Sequence, residues 1–110
     1  MGVTKTDNFS DQQNEIAQVA KVLGHPARIA ILQHIMQQKS CICGDLVLEI
    51  GLAQATISQH LRELKNAELI QGTIDGTSVC YCINTNKWNK SKDLLIAFLN
   101  QNETLNTLCC

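Results

Sequence analysis

Between Ala53 and Ala67 the chain carries a helical pattern with two chemically opposite faces, and a hairpin pattern follows it almost at once. At about 100° per residue, Ile57, Leu61 and Leu64 fall on one narrow stripe, while Ala55, Gln59, Arg62 and Asn66 fall nearly opposite, with Ser58 beside them. Burying the apolar stripe fixes the polar face outward. Small residues there let a helix lie deep in the major groove of DNA, the amide of Gln59 can bond a base edge at two points, and Arg62 can reach guanine or phosphate. An ordinary amphipathic surface helix carries the same stripe, so the flanking segments decide what this one is for.

Upstream, Ser10-Asp-Gln-Gln13 has the form of a capping box, and Ile16, Val19, Ala20 and Leu23 repeat at helical spacing until Gly24. Pro26 suits the first position of a second helix, which Ile29, Ile31, Leu32, Ile35 and Met36 make apolar over a broad arc. His25 reads as a local cap. Asp45 can cap a short helix through Ile50, with Gly51 as its stop, and a tight turn then leads to Ala53, which offers no capping oxygen.

Downstream, residues 69–74 and 78–83 read as strands flanking Asp75-Gly76, a strong hairpin signal. Alternation assigns Val79, Tyr81 and Ile83 to the core face and leaves Cys80 and Cys82 together on the other. After a capping region at 84–89, Leu94, Leu95, Phe98 and Leu99 form a last helical stripe, near which Trp88 packs. Helix, turn, helix, then hairpin predicts a mainly α fold with a small β-hairpin, a winged helix-turn-helix. DNA contacts are expected from Ala55, Thr56, Ser58, Gln59, Arg62 and Asn66, with Thr77 at the wing tip. The first and last helices carry apolar stripes that one small core cannot absorb, which predicts a homodimer formed through them.

A length of 110 residues suits one domain: a loose arm at 1–10, the DNA-binding and dimerisation unit at 11–100, and a tail at 101–110 holding a cysteine pair. The formal net charge of −1 is not the basic excess expected of a nucleic-acid binder, so local placement of Lys21, Arg28, Lys39, Arg62 and Lys65, doubled in a dimer, must supply the attraction. No apolar run is long enough to span a bilayer and no signal segment is seen, which predicts a cytoplasmic protein without a membrane partner. Six cysteines come as three close pairs, Cys41/Cys43, Cys80/Cys82 and Cys109/Cys110. In a reducing compartment such pairing points to ion or redox chemistry rather than structural disulfides. Cys-x-x-Cys, a Gly-rich cofactor loop and an acid/base constellation are all missing, so an enzyme is not expected; a thiol redox enzyme is the alternative of another class, and a pure interaction module is weaker still.

Four stretches together resemble the ArsR/SmtB family of bacterial metal- and metalloid-responsive repressors: Val22-Leu-Gly-His-Pro-Ala-Arg28, Cys41-Ile-Cys43-Gly-Asp-Leu46, Thr56-Ile-Ser-Gln-His-Leu61 and Gly76-Thr-Ser-Val-Cys-Tyr81. The resemblance covers roughly residues 15 to 85. It implies a homodimer that leaves double-stranded operator DNA when a thiophilic ion binds. The family's Asp/His site on the last helix is not supported, because the only histidines are His25, His34 and His60. The cadmium and lead type, which draws a ligand from the N-terminal arm, lacks one here.

A thiolate site starting with Cys41 and Cys43 remains, and its softness suits As(III) or Sb(III) as inducer, with no organic cofactor. The arsenic-sensing pattern puts a third Cys just after Asp-Leu, but Val47 stands there and Gly44 is an extra residue before Asp45. The third thiolate then comes from Cys80 or Cys82, if the segment at 39–41 lies beside the second wing strand, or from Cys109 or Cys110. A thiol-based redox-sensing repressor is the competing reading. His60, at the edge of the core stripe, reads as a structural hydrogen-bonding residue rather than a base contact.

Overall fold

The computed structural model describes residues 8–38, 41–43, 50–75 and 78–104. In chain order these form α1 (Asp11–Leu23), α2 (Pro26–Gln37), β1 (Ile42–Cys43), α3 (Gln54–Asn66), β2 (Ile70–Asp75), β3 (Ser78–Ile83) and α4 (Thr85–Leu99), which runs on into a 3₁₀ turn at Asn100–Thr104. The sheet is antiparallel in the order β1-β3-β2, so the hairpin gains a short third strand. The anticipated short helix before Ile50 falls mostly outside the described residues, and Gly51, its predicted stop, has the left-handed φ of +77°.

Helix ends follow local chemistry. Ser10 Oγ accepts from the Gln13 amide at 3.1 Å while Gln13 Oε1 accepts from the Ser10 amide at 2.9 Å, completing the capping box of α1. At α2 the cap is His25, whose Nδ1 accepts from the Ala27 amide at 3.0 Å, with Pro26 in the first turn. As expected from its methyl side chain, Ala53 makes no side-chain cap at α3. The other end of α3 closes by two backbone bonds, Leu69 N–H to Leu64 C=O at 3.1 Å and Glu68 N–H to Lys65 C=O at 2.9 Å. These are the bonds of a Schellman motif, and they force Glu68 to φ +63°, where glycine is usual. Leu64 and Leu69, the residues such a motif brings together, are both fully buried. That contact aims the chain from α3 straight into β2.

One core joins the elements: Val22 from α1, Ile31, Leu32 and Ile35 from α2, Ile42 from β1, Ile57, Leu61 and Leu64 from α3, then Leu69 and Ile70. The predicted α3 stripe is thus the buried face. Elsewhere the stripes shift. In α1 the buried residues are Val19 and Val22, whereas Ala20 is exposed. The arc of α2 is narrower than its sequence suggests, because Ile29 and Met36 face outward. On β3, Tyr81 and Ile83 pack on the core as expected, but Val79 lies beyond the core's edge and is 45% exposed, while Cys80, on the opposite face, is 3% exposed. Asp75 is still strand, paired with Ser78, and the rest of the predicted Asp75-Gly76 turn lies outside the described residues.

Candidate functional site

On α3, Ala55, Thr56, Gln59, Arg62 and Asn66 are exposed and Ser58 is half-buried, opposite the buried Ile57, His60, Leu61 and Leu64. The outward side chains are linked along the helix. Arg62 donates to Gln59 Oε1 at 2.9 Å, Gln59 Nε2 donates to Glu63 Oε1 at 3.2 Å, and Gln54 Nε2 donates to Ser58 Oγ at 3.2 Å. A guanidinium only donates, so the Gln59 amide is turned with its oxygen to Arg62 and its nitrogen to Glu63. This presents one acceptor and one donor in fixed order along the surface, the pattern that an adenine edge also requires.

Behind that face, Arg28 holds α3 in place. Its Nε donates to His60 Nδ1 at 3.2 Å and a terminal nitrogen donates to the Val22 carbonyl at 3.2 Å, so one side chain ties the end of α1 and the start of α2 to α3. The His25 ring lies 4.4 Å from that of His60, centroid to centroid. Because Arg28 can only donate, His60 must be neutral to accept. Burial first, then the neighbouring His25 and Arg28, lower the His60 pKa, and Glu63 pulls weakly the other way. His60 is therefore structural, as its place at the stripe's edge suggested. Arg28, counted among the basic residues available to DNA, is committed to this internal link instead; Lys39 lies outside the described residues.

The wing is packed onto α3 at Gly72. A methyl group there would meet the Val79 side chain tightly at 3.3 Å and lie in ordinary contact with Tyr81 at 3.5 Å and Lys65 at 3.6 Å. Thr77, expected at the wing tip, lies outside the described residues.

The cysteines show what the sequence could signal only by spacing. Ile42 pairs with Tyr81 and Cys43 with Cys80, a register that sets Cys41 opposite Cys82. Cys-x-Cys on a strand keeps both cysteines on one face, and two such strands in antiparallel register set pair against pair. Cys41 and Cys82 are joined by a disulfide with a Cα–Cα distance of 4.6 Å, and Cys80 is also disulfide-bonded. The expectation of free thiols is thus corrected at these positions: residues directly opposite at a non-hydrogen-bonded antiparallel site are near enough for a disulfide. The side chain of Cys43 and all of Cys109 and Cys110 lie outside the description. Among the described residues no group of three or more His, Cys, Asp or Glu is arranged to hold a metal ion.

Cys41 and Cys82 form one wall of an open groove of about 460 Å³ between the end of α2 and the start of α4. A second, apolar trough runs between α1 and α4, lined by Val19, Leu23, Trp88, Leu95, Ile96 and Leu99. Leu99 is 65% exposed beside it.

Comparison with known proteins gives this geometry its class. Residues 25–71, from the cap of α2 into β2, match the family model for bacterial regulatory proteins of the arsR family, and the chain belongs to that family. An uncharacterised HTH-type transcriptional regulator of Methanocaldococcus jannaschii is 32% identical over 66% of this chain and 82% of its own. Another, from Mycobacterium tuberculosis, is 33% identical over 61% of this chain. The chain spans only 59% of that relative's length. An arsenical resistance operon repressor of Staphylococcus xylosus is 31% identical over 64% of this chain and 66% of its own.

Among solved structures, that of the M. tuberculosis protein aligns with a TM-score of 0.63 at 25% identity, covering 86% of this chain and 98% of the other. A homodimeric winged helix-turn-helix DNA-binding domain from Mycobacterium bovis aligns with a TM-score of 0.63 at 20% identity over 92% of each. The fold is a winged helix-turn-helix. Among the described residues no helix is long and apolar enough to cross a membrane.

Proposed function

We propose that this chain is a homodimeric cytoplasmic repressor that grips operator DNA with α3 and lets go when As(III) or Sb(III) is ligated by cysteine thiolates. The observation that carries the DNA-binding half is the outward face of α3, with Gln59 and Arg62 linked at 2.9 Å on a helix whose reverse side is core. The apolar trough between α1 and α4 supports dimerisation of the unit at 11–100 by a second copy of the same face. Two copies of α3 then address half-sites about 34 Å apart. The wing, including Thr77, supplies backbone contacts. No catalytic role is assigned.

For the signal, Cys41 and Cys43 are the first ligands, and Cys82 is preferred as the third because its backbone lies 4.6 Å from that of Cys41. Cys80, Cys109 and Cys110 are the alternatives. The family relationship to an arsenical resistance operon repressor supports the choice of ion. Trivalent arsenic supplies a soft centre that exchanges oxygen ligands for sulfur. The chain's own part is to bring thiols from β1 and β3 together, so that ligation fixes the wing strand against the segment that precedes α3. Release requires the ion to prefer the DNA-free arrangement, and each tenfold preference is worth ~1.4 kcal/mol of coupling.

A redox-sensing repressor is favoured by one specific observation, the Cys41–Cys82 disulfide, which closes the same link without an ion. Operator titrations of the reduced chain with arsenite, using paired Cys→Ser variants at 41/43, 80/82 and 109/110, separate these readings. The 41/43 variant is expected to bind DNA and ignore arsenite, and the 80/82 variant to respond weakly. Normal release by the 41/43 variant refutes the site; arsenite-blind but peroxide-responsive unmodified protein selects the redox sensor.

A further inference from the structure

Every link in the outward side-chain row of α3 has a fixed direction. Arg62 and Glu63 both stand one turn beyond Gln59, and each reaches back to it. A guanidinium has no acceptor and an ionised carboxylate has no donor. The Gln59 oxygen, held by Arg62 at 2.9 Å, and its nitrogen, held by Glu63 at 3.2 Å, therefore cannot exchange places without setting donor against donor and acceptor against acceptor. Each amide atom keeps spare capacity, a second lone pair on the oxygen and a second hydrogen on the nitrogen. Together these accept from the N6 amine of adenine and donate to its N7, the two-point pairing of an amide with that base. The two anchors are not equivalent once DNA is present. Phosphate oxygens and the guanine edge offer acceptors that compete for Arg62, whereas a carboxylate finds no partner on phosphate. Glu63 is also half-buried, while Gln59 and Arg62 are exposed, so it is the anchor that stays.

We infer that Glu63 is a specificity-determining positioning residue: by holding Gln59 Nε2 it sets the donor–acceptor order of that amide, so that the operator half-site carries an adenine opposite it. The inference rests on α3 lying in the major groove and names what its face selects. Glu63 itself touches no base. Its negative charge beside the phosphates weakens the hold on DNA of any sequence, in a chain whose net charge is already −1. Discrimination and general affinity are thus set against each other at one side chain, and neutralising it should move them in opposite directions. The core side of the helix is not disturbed by that change. Glu63 is the only neighbour that draws His60 toward its charged form, so its loss keeps the ring neutral and able to accept from Arg28.

The test uses the full chain, reduced and free of arsenite. Binding sites are selected from a random duplex library, and each adenine of the selected half-site is then replaced singly by 7-deazaadenine, which removes the N7 acceptor, or by purine, which removes the N6 amine. One adenine should respond to both replacements, each weakening the unmodified chain by about tenfold and Gln59→Ala by less than about twofold. The amide introduced by Glu63→Gln offers donor or acceptor alike and imposes no order on Gln59. That variant should accept all four base pairs at this position within about threefold. It should also bind a scrambled duplex more tightly than the unmodified chain does, with the gain shrinking as salt is raised. A merely structural role would instead weaken specific and scrambled DNA together. Such parallel weakening, adenine preference retained by Glu63→Gln, or a selected site with no adenine read through Gln59 overturns the role of Glu63 alone. So does a cytosine preference lost with Glu63→Gln, which would make Glu63 a direct base contact. A chain that selects no sequence from the library overturns the DNA-binding reading of α3 and this inference together.

Discussion

Removing one sulfur from the β1–β3 link should change stability more than any single surface substitution. The Cys41–Cys82 bridge closes a loop with a sequence separation of 41 residues. Loop-closure entropy for that length, taken from the unfolded chain at 25 °C, corresponds to about 4 kcal/mol. Backbone pairing offers little in compensation, since β1 has only two residues, Ile42 and Cys43, to hold against β3. Because Cys80 is also disulfide-bonded, the comparison is urea unfolding of oxidised Cys80→Ser and oxidised Cys80→Ser/Cys82→Ser at one fixed protein concentration, since a dimer's midpoint depends on concentration. With a denaturant slope of roughly 1–2 kcal/mol/M, the double variant's midpoint should fall by about 2–4 M. Reduction should bring Cys80→Ser down toward the double variant. Coincident oxidised midpoints would mean that the bridge constrains nothing the unfolded chain would otherwise explore.

Three further outcomes follow from named contacts. Glu68→Gly, at φ +63° in the turn after α3, should stabilise the chain by about 0.5–1 kcal/mol, measured as a higher urea midpoint; destabilisation would show that the Glu68 side chain makes a compensating contact. His60 has its pKa lowered in the folded state, mainly by burial, from an ordinary value of 6.5. The unfolded chain therefore binds more protons below that pH, so this contribution to stability is complete above about pH 6.5 and declines as acid protonates the ring. Protonation also turns Nδ1 from acceptor to donor against Arg28, and His60→Phe should flatten the fall of the urea midpoint between pH 7.5 and 5.5. Gln59→Ala with Arg62→Ala should lower operator affinity by ~1–3 kcal/mol for each base-reading side chain and leave the oligomeric state unchanged; unaltered operator binding would remove α3 from the interface.

The stripe Ile57, Leu61, Leu64 was legible because a helix that spends its only large apolar residues on one face has one way to bury them. The capping box at Ser10 and the His25 cap were legible because they are set by neighbours within three residues. Positions whose fate depends on distant elements read less well. In α1 the choice of Val22 over Ala20 follows from where α2 and α3 pack, and Val79 is left open because β3 outruns the core. The commitment of Arg28 to His60 spans 32 positions, and no local spacing announces it. For the thiols, the repeated Cys-x-Cys gave a shared face on each strand, and the register that sets Cys41 against Cys82 came only with the fold. The α3 surface was visible as composition, but the Gln59, Arg62 and Glu63 chain that orients the amide needed side-chain geometry.

Under the proposed function, sulfur chemistry between β1 and β3 governs the hold of α3 on DNA. Fluorescence anisotropy of a labelled operator measures this in one protein preparation divided three ways: reduced, reduced with arsenite, and oxidised. The reduced chain should bind tightly, and at least tenfold more weakly with arsenite, with binding restored when the ion is removed by a competing dithiol. The oxidised chain reports whether the Cys41–Cys82 bridge alone has the same effect. Equal operator affinity in all three states would show that the β1–β3 cysteines do not control DNA binding.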